Sequence, residues 1–276
     1  MRSQHEHIKI IEGIELIHQM LPTEKKWQNS YIKLQIEERN KGRRFSLKDH
    51  VKAMIYSMLS AETPWERIEA NTGTIDALFM DYDPEKLLKA DPVVLVDNLQ
   101  KIKCGGRCRS NQMKALARNI ITLKKFEETF GGIDIFYNQM LISENETHPY
   151  ERIILTLSMD GEYKLAQMGI PLVAEYLRNV GYNISKPDRH VMRMRDSGHL
   201  AEHSFKQNKD ETWSAPALLE GLRIIRQYAE DTQLSEAYID HLLWSYCANG
   251  YGQICTKKNP QSLQCKVKDF CQKSAL

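Results

Sequence analysis

The chain has 276 residues, enough to bury one large hydrophobic core or two smaller ones. Hydrophobic residues make up 42% and charged residues 27%, the balance of a globular protein, and no apolar run is long enough to span a bilayer. The net charge of +2 neither demands nor excludes a polyanionic partner, so a nucleic-acid-binding face would have to come from local clusters of Lys and Arg. The opening "MRSQHEHIKIIEG" is too polar for a secretory signal, which makes the cytoplasm the expected compartment. There, six cysteines read as thiols or metal ligands rather than disulfides.

In chain order, almost every periodic segment predicts a helix. In "FSLKDHVKAMIYSMLS", Ser46 and Asp49 form a cap signal, and Leu47, Val51, Met54, Ile55, Met58 and Leu59 recur at helical spacing. "DPVVLVDNLQKI" places Asp91 as N-cap and Pro92 at the first helical position. From Ser110, "SNQMKALARNIITLKKFEETFGG" puts Met113, Leu116, Ala117, Ile120 and Ile121 on one stripe and ends at Gly131-Gly132. Further helices are predicted at "YERIILTLSM", "PLVAEYLRNVG", "SAPALLEGLRIIRQYAE" and "SEAYIDHLLWSYC". No alternating strand pattern, internal repeat or low-complexity linker interrupts them. The fold class is all-α.

Two segments carry candidate chemistry. In "YKLAQMGIPLVAEYLRNVGY" a tight turn, Met168-Gly169-Ile170-Pro171, is expected between two helices. Its backbone N–H groups, at the mouth of the second helix, would suit a phosphate. In "GYNISKPDRHVMRMRD", Asp188 follows a proline at a helix start. It reads as a cap for the exposed N–H groups of the first turn, and also as a fixed carboxylate able to face a ligand.

Helix, glycine turn, helix, and a short loop into Pro-Asp-x-His resembles the helix-hairpin-helix (HhH-GPD) DNA glycosylase superfamily, the endonuclease III-like base-excision enzymes. Upstream, "AMIYSMLSAETPWERI" is similar to that family's early buried helix, and the order of elements is kept from about Phe45 to Cys271. The resemblance implies a two-lobed helical fold. Residues 45–185 would form a helical barrel domain with the hairpin, and residues 1–44 with 186–276 a second lobe. It implies that Asp188 is the catalytic carboxylate. It places Met168, Gly169, Ile170 and Leu172 at the DNA, and Glu62 at the base pocket. The loop "KIKCGGRCRSN" stands where family members wedge a residue into the duplex, which makes Arg107 and Asn111 candidate DNA contacts, with Lys103 and Arg109 as phosphate contacts. Two departures bear on the activity. The family's Gly-x-Gly turn is here Met168-Gly169-Ile170, and the lysine that forms a Schiff base in bifunctional members is Leu172. Lys164 and Lys186 lie nearby in sequence and read as solvated surface lysines. The implied enzyme is therefore monofunctional, without AP-lyase activity.

The tail extends the resemblance. Endonuclease III-like proteins close with C-x6-C-x2-C-x5-C around a [4Fe–4S] cluster. Cys255, Cys265 and Cys271 keep the first, third and fourth positions, while the second falls on Ser262. Cys247, at the end of the preceding helix, is the candidate replacement ligand, so the expected metal set is Cys247, Cys255, Cys265 and Cys271. Zinc, or no metal, are the alternatives. The expected function is base-excision repair: hydrolysis of the N-glycosidic bond of a damaged or mispaired base by a monomer acting on lesion-containing double-stranded DNA. Such an enzyme would be nucleoid-associated and independent of membranes. A non-catalytic helix-hairpin-helix DNA-binding protein is the alternative.

Overall fold

The computed structural model describes residues 2–141, 149–159, 161–196, 199–202, 207–209, 212–258 and 260–272. Among them the secondary structure is helical, with no strand. The α-helices are α1 (Gln4–Gln19), α2 (Tyr31–Asn40), α3 (Leu47–Ser60), α4 (Trp65–Ala70), α5 (Thr72–Leu78), α6 (Pro84–Leu87) and α7 (Pro92–Lys101). They continue with α8 (Arg109–Phe130), α9 (Ile133–Met140), α10 (Glu151–Ser158), α11 (Ile170–Asn179), α12 (Arg189–Met194), α13 (Ala215–Thr232) and α14 (Glu236–Cys247). None is long and apolar enough to cross a membrane among the described residues. The chain divides into two compact units, one of residues 1–37 and 183–276, the other of residues 38–182.

The unit of residues 38–182 is built around α3, which packs against α8 and α11. From His50 to Leu59 its residues are buried on every side except at Lys52, so the helix is apolar nearly all round. Its start is a reciprocal capping box. The Ser46 hydroxyl accepts from the Asp49 N–H, and the Asp49 carboxylate accepts from the Ser46 N–H at 2.9 Å. Polar groups inside this unit are tied together. Asp134 of α9 accepts from Arg39 at 2.8 Å and contacts His50 Nε2 at 3.2 Å, while His50 Nδ1 meets the Tyr176 hydroxyl at 2.7 Å. The long helix α8 ends at Gly131, whose φ of 75° is left-handed. Its buried face is Met113, Leu116, Ile120, Leu123 and Phe126, whereas Ile121, expected on that stripe, is 58% exposed.

The other unit packs α1 against α13 and α14, with α12 against both of the latter. Its core gathers Ile10, Ile14 and Ile17 from α1, Ile225 and Tyr228 from α13, and Ile239, Leu242 and Tyr246 from α14. α13 carries Gly221 where it faces α12. A Cβ there would stand 2.5 Å from the Met192 sulfur, so the glycine lets α12 approach closely.

One connection departs from expectation. α10 ends at Ser158, and the chain reaches α11 through turns rather than a second helical arm running up to Met168. The left-handed residue is Gln167 at φ 61°, whereas Gly169 has an ordinary φ of −81°. The cause is Asn119 of α8, which is fully buried. Its side chain donates to the Ala166 carbonyl at 2.9 Å and accepts from the Ala166 N–H at 2.7 Å, replacing the partners a helix would have supplied. Asn119→Ala would leave both backbone groups unpaired. We expect a loss of roughly 2 to 4 kcal/mol in chemical denaturation, with faster amide exchange at Ala166.

Candidate active site and cysteine cavity

Asp188 is the N-cap of α12. Its Oδ1 accepts from the N–H groups of His190 at 2.8 Å and Val191 at 3.0 Å, and the other oxygen, Oδ2, takes part in neither bond. The residue is half-buried. The loop before it is stitched to α14 by two buried acids. Glu236 accepts from the N–H and the hydroxyl of Ser185, both at 2.9 Å, and Asp240 accepts from the N–H of Lys186 at 2.8 Å. Asn183 returns the favour by capping the N–H of Ala237 at 3.0 Å. The carboxylate is thus fixed from both sides, by the helix it opens and by the loop that enters it. Burial holds the neighbouring His190 imidazole below its usual pKa of 6.5.

In the unit of residues 38–182, Glu62 and Arg107 are brought together. Glu62 sits in the left-handed region at φ 60°. Its Oε1 accepts from Arg107 Nη2 at 2.6 Å and Nε at 2.9 Å, and its Oε2 accepts from the Arg107 backbone N–H at 3.0 Å. Close approach of the two loops requires Gly106, where a Cβ would stand 2.6 Å from the Ala61 carbonyl oxygen. The Thr63 hydroxyl also accepts from the Gly105 N–H at 2.9 Å. Arg109 folds back onto its own loop, donating to the Cys104 and Gly105 carbonyls, and Lys103 takes a left-handed φ of 55°. Asn111 is exposed on α8.

The turn into α11 presents little side chain. Met168 and Ile170 are buried, and Leu172 is half-buried with its carbonyl accepting from the Ser57 hydroxyl at 2.5 Å. The N–H groups of Met168, Leu172 and Val173 are bonded within the chain, and Pro171 has none. The N–H groups of Gly169 and Ile170 make no hydrogen bond among the described residues.

The cysteine tail lies in the same unit as Asp188, and α12 links the two. Beyond Asp188 and His190, Arg193 donates to the Cys255 carbonyl at 2.9 Å, and Met194 lines a small cavity of about 20 Å³. Its other walls are His199, Leu200, Tyr246, Cys255, Cys265, Val267 and Cys271. Cys247 is not part of that lining. It is buried and gives its S–H to the Met194 sulfur at 3.9 Å. The neighbouring Cys247 thiol, helped by His199, lowers the Cys255 thiol to about 5, while Cys255 and burial raise Cys247. Asp196 and then Cys255 raise His199 to about 9. The Tyr246 hydroxyl donates to the Cys265 sulfur at 3.4 Å. Among the described residues no three His, Cys, Asp or Glu side chains are placed to hold a single metal ion. The potential donors on the cavity wall are three cysteines and one histidine, set among apolar side chains. Cys104 and Cys108 belong to the other unit.

Sequence reasoning missed Glu236, Asp240, Asp196 and His199. Two acids four residues apart on the inward face of a predicted helix were the available signal for the first pair. Nothing in the cysteine spacing pointed to His199.

No protein-family model and no curated protein sequence matches the chain. Solved structures do. The chain is similar to the Methanocaldococcus jannaschii 8-oxoguanine glycosylase/lyase in complex with 15mer DNA containing 8-oxoguanine, with a TM-score of 0.52 and 19% identity over 87% of this chain and 97% of that one. It is equally similar to the M. jannaschii 8-oxoguanine DNA glycosylase, with a TM-score of 0.52 and 21% identity over 90% of this chain and 98% of that one. The chain therefore shares the helical fold of these two structures.

Proposed function

We propose that the protein is a DNA glycosylase that hydrolyses the N-glycosidic bond of a damaged base, with Asp188 as the catalytic carboxylate. The observation that carries this reading is the way Asp188 is held. Both capping bonds fall on Oδ1, so the cap fixes the carboxylate while Oδ2 is kept for chemistry. A base extruded from the duplex leaves a sugar whose transition state approaches an oxocarbenium ion. A fixed carboxylate stabilises that cation and orients the attacking water at C1′. The N–H groups of Gly169 and Ile170, at the positive end of α11, suit a DNA phosphate. The Glu62–Arg107 pair is open to competition, because Arg107 is 87% exposed and such pairs are worth about 0–1 kcal/mol. DNA can draw Arg107 to a phosphate and release the Glu62 carboxylate toward a flipped base. The tail cysteines are the proposed ligands of a [4Fe–4S] cluster; Cys255, Cys265 and Cys271 share the cavity wall and Cys247 lies outside it, and a bound cluster would cross-link the tail.

We further propose that the activity is monofunctional. The M. jannaschii relative is named a glycosylase/lyase. In this chain Leu172 stands at the family's lysine position and offers no amine. The test is a panel of lesion-bearing duplexes, beginning with 8-oxoguanine, incubated with the protein and divided into two arms. Base release should be seen before alkali treatment, and strand cleavage only after it. Borohydride should trap no protein–DNA adduct. A trapped adduct would refute the monofunctional reading, and no release from any duplex would refute the glycosylase reading.

A further inference from the structure

The two acids that hold the loop before Asp188 do more than helix packing requires. Glu236 and Asp240 are each 2% exposed, and a carboxylate taken out of water is destabilising unless it is bonded. An apolar pair could cover the same face of α14 without that penalty. What carboxylates bring instead is direction. Four residues apart, they stand on one face of α14 and accept from consecutive N–H groups, those of Ser185 and Lys186. Glu236 Oε1 also takes the Ser185 hydroxyl, and its Oε2 lies 3.9 Å from Arg226 Nη1 of α13. The segment in turn caps α14 through Asn183, so helix and loop hold each other in one register.

That register reaches Asp188 within two residues. The Lys186 carbonyl accepts from the Asp188 N–H at 2.7 Å. This closes a three-residue turn centred on Pro187, whose ring holds φ in the range such a turn needs. Pro187 and Met192, on either side of Asp188 in the chain, both face Gly221 of α13. A Cβ there would stand 3.6 Å from the Pro187 Cβ and 2.5 Å from the Met192 sulfur. Asp188 Oδ1 is taken by the N–H groups of His190 and Val191. With the backbone and one carboxylate oxygen both fixed, the direction of Oδ2 follows. We propose that Asp240 and Glu236 are positioning residues for catalysis, which set where Asp188 Oδ2 points by holding the N–H groups of Lys186 and Ser185. They act through the backbone and not on the substrate. The assignment rests on the reading of Asp188 as the catalytic carboxylate.

The test is single-turnover base release by the full chain on the lesion duplex that the parent processes fastest. Affinity is measured beside it on a duplex carrying a stable abasic-site analogue, and circular dichroism checks that each variant is folded at the assay temperature. Asp240→Ala and Glu236→Ala should each slow release by about 10- to 100-fold, the effect of a misplacement of about 1 Å, with affinity unchanged. Asp240→Asn, whose amide oxygen can still accept from Lys186, should recover most of the rate. In the Asp188→Asn background, Asp240→Ala should slow release no further, because residues that act through one another are not additive. Amide exchange at Lys186 and Asp188, recorded without DNA, should quicken in Asp240→Ala. If a truncated acid does not fold, Ser185→Ala, which removes the hydroxyl bond alone, carries the test and should show a smaller loss of rate with affinity again unchanged. Folded variants that release base at the parent rate overturn the positioning assignment and leave the glycosylase reading standing. So does a loss shared equally by affinity, an Asp240→Asn as slow as Asp240→Ala, or a further loss in the Asp188→Asn background. A parent that releases no base from any duplex overturns the glycosylase reading, and the assignment with it.

Discussion

Asp188→Asn should abolish nearly all base release, by about 10³-fold or more under single-turnover conditions, and leave the fold almost untouched. The argument rests on the separation of tasks within one side chain. Asparagine caps a helix about as well as aspartate, so an amide oxygen accepting from His190 and Val191 keeps α12 in place. Under the proposed mechanism the lost quantity is the negative charge at the second oxygen position, which would stabilise the oxocarbenium ion and orient water. Thermal melting and DNA affinity, measured beside activity, should shift little. A variant that excises at the parent rate would show that Asp188 only caps; a parent that excises nothing would leave the alternative of a non-catalytic DNA-binding protein.

The second large effect is on stability. Asp134→Ala should cost roughly 3 to 5 kcal/mol in urea denaturation, because it strands Arg39 and His50 around a buried site. Burial alone would push the Asp134 carboxyl up. The bonds from His50 and Arg39 more than reverse this and hold it far below the usual 3.8. Its contribution is complete above 3.8 and is lost as the pH falls through the lower folded value. His50 adds in the same direction. Burial lowers its pKa from 6.5, so the unfolded chain takes up the proton first and stability declines as the pH drops below 6.5. The parent should therefore lose stability progressively on acidification, and Asp134→Ala should flatten the most acidic part of that profile.

The helices were legible in the sequence where a local signal sufficed. Ser46 with Asp49, Asp91 with Pro92, and the glycines closing α8 each mark an end that the backbone respects. These signals work because capping involves residues only a few positions apart. The turn before α11 was not legible. The Asn119 side chain that redirects it comes from α8, and an asparagine within a helix stripe looks no different when it faces a loop. The same distance hid His199, whose relation to the cysteines exists only once α12 and the tail are folded. The Asp188 cap could be read because its bonds go to backbone groups two and three residues on. The paired Glu62 and Arg107 were both singled out, but their bond depends on a glycine whose importance is steric and cannot be seen in one dimension.

The order of the units along the chain has a consequence for synthesis. Residues 38–182 are contiguous and can fold as soon as they leave the ribosome, whereas α1 must wait for α13 and α14 to cover Ile10, Ile14 and Ile17. Roughly two hundred residues separate α1 from the start of α13, so at about 5 to 20 residues per second its apolar face stays uncovered for roughly 10 to 40 seconds. For that interval the nascent chain carries an amphipathic helix without a partner, an exposed apolar surface prone to aggregation. The unit that holds Asp188 is thus the last to form, after the turn into α11 has already folded in the other.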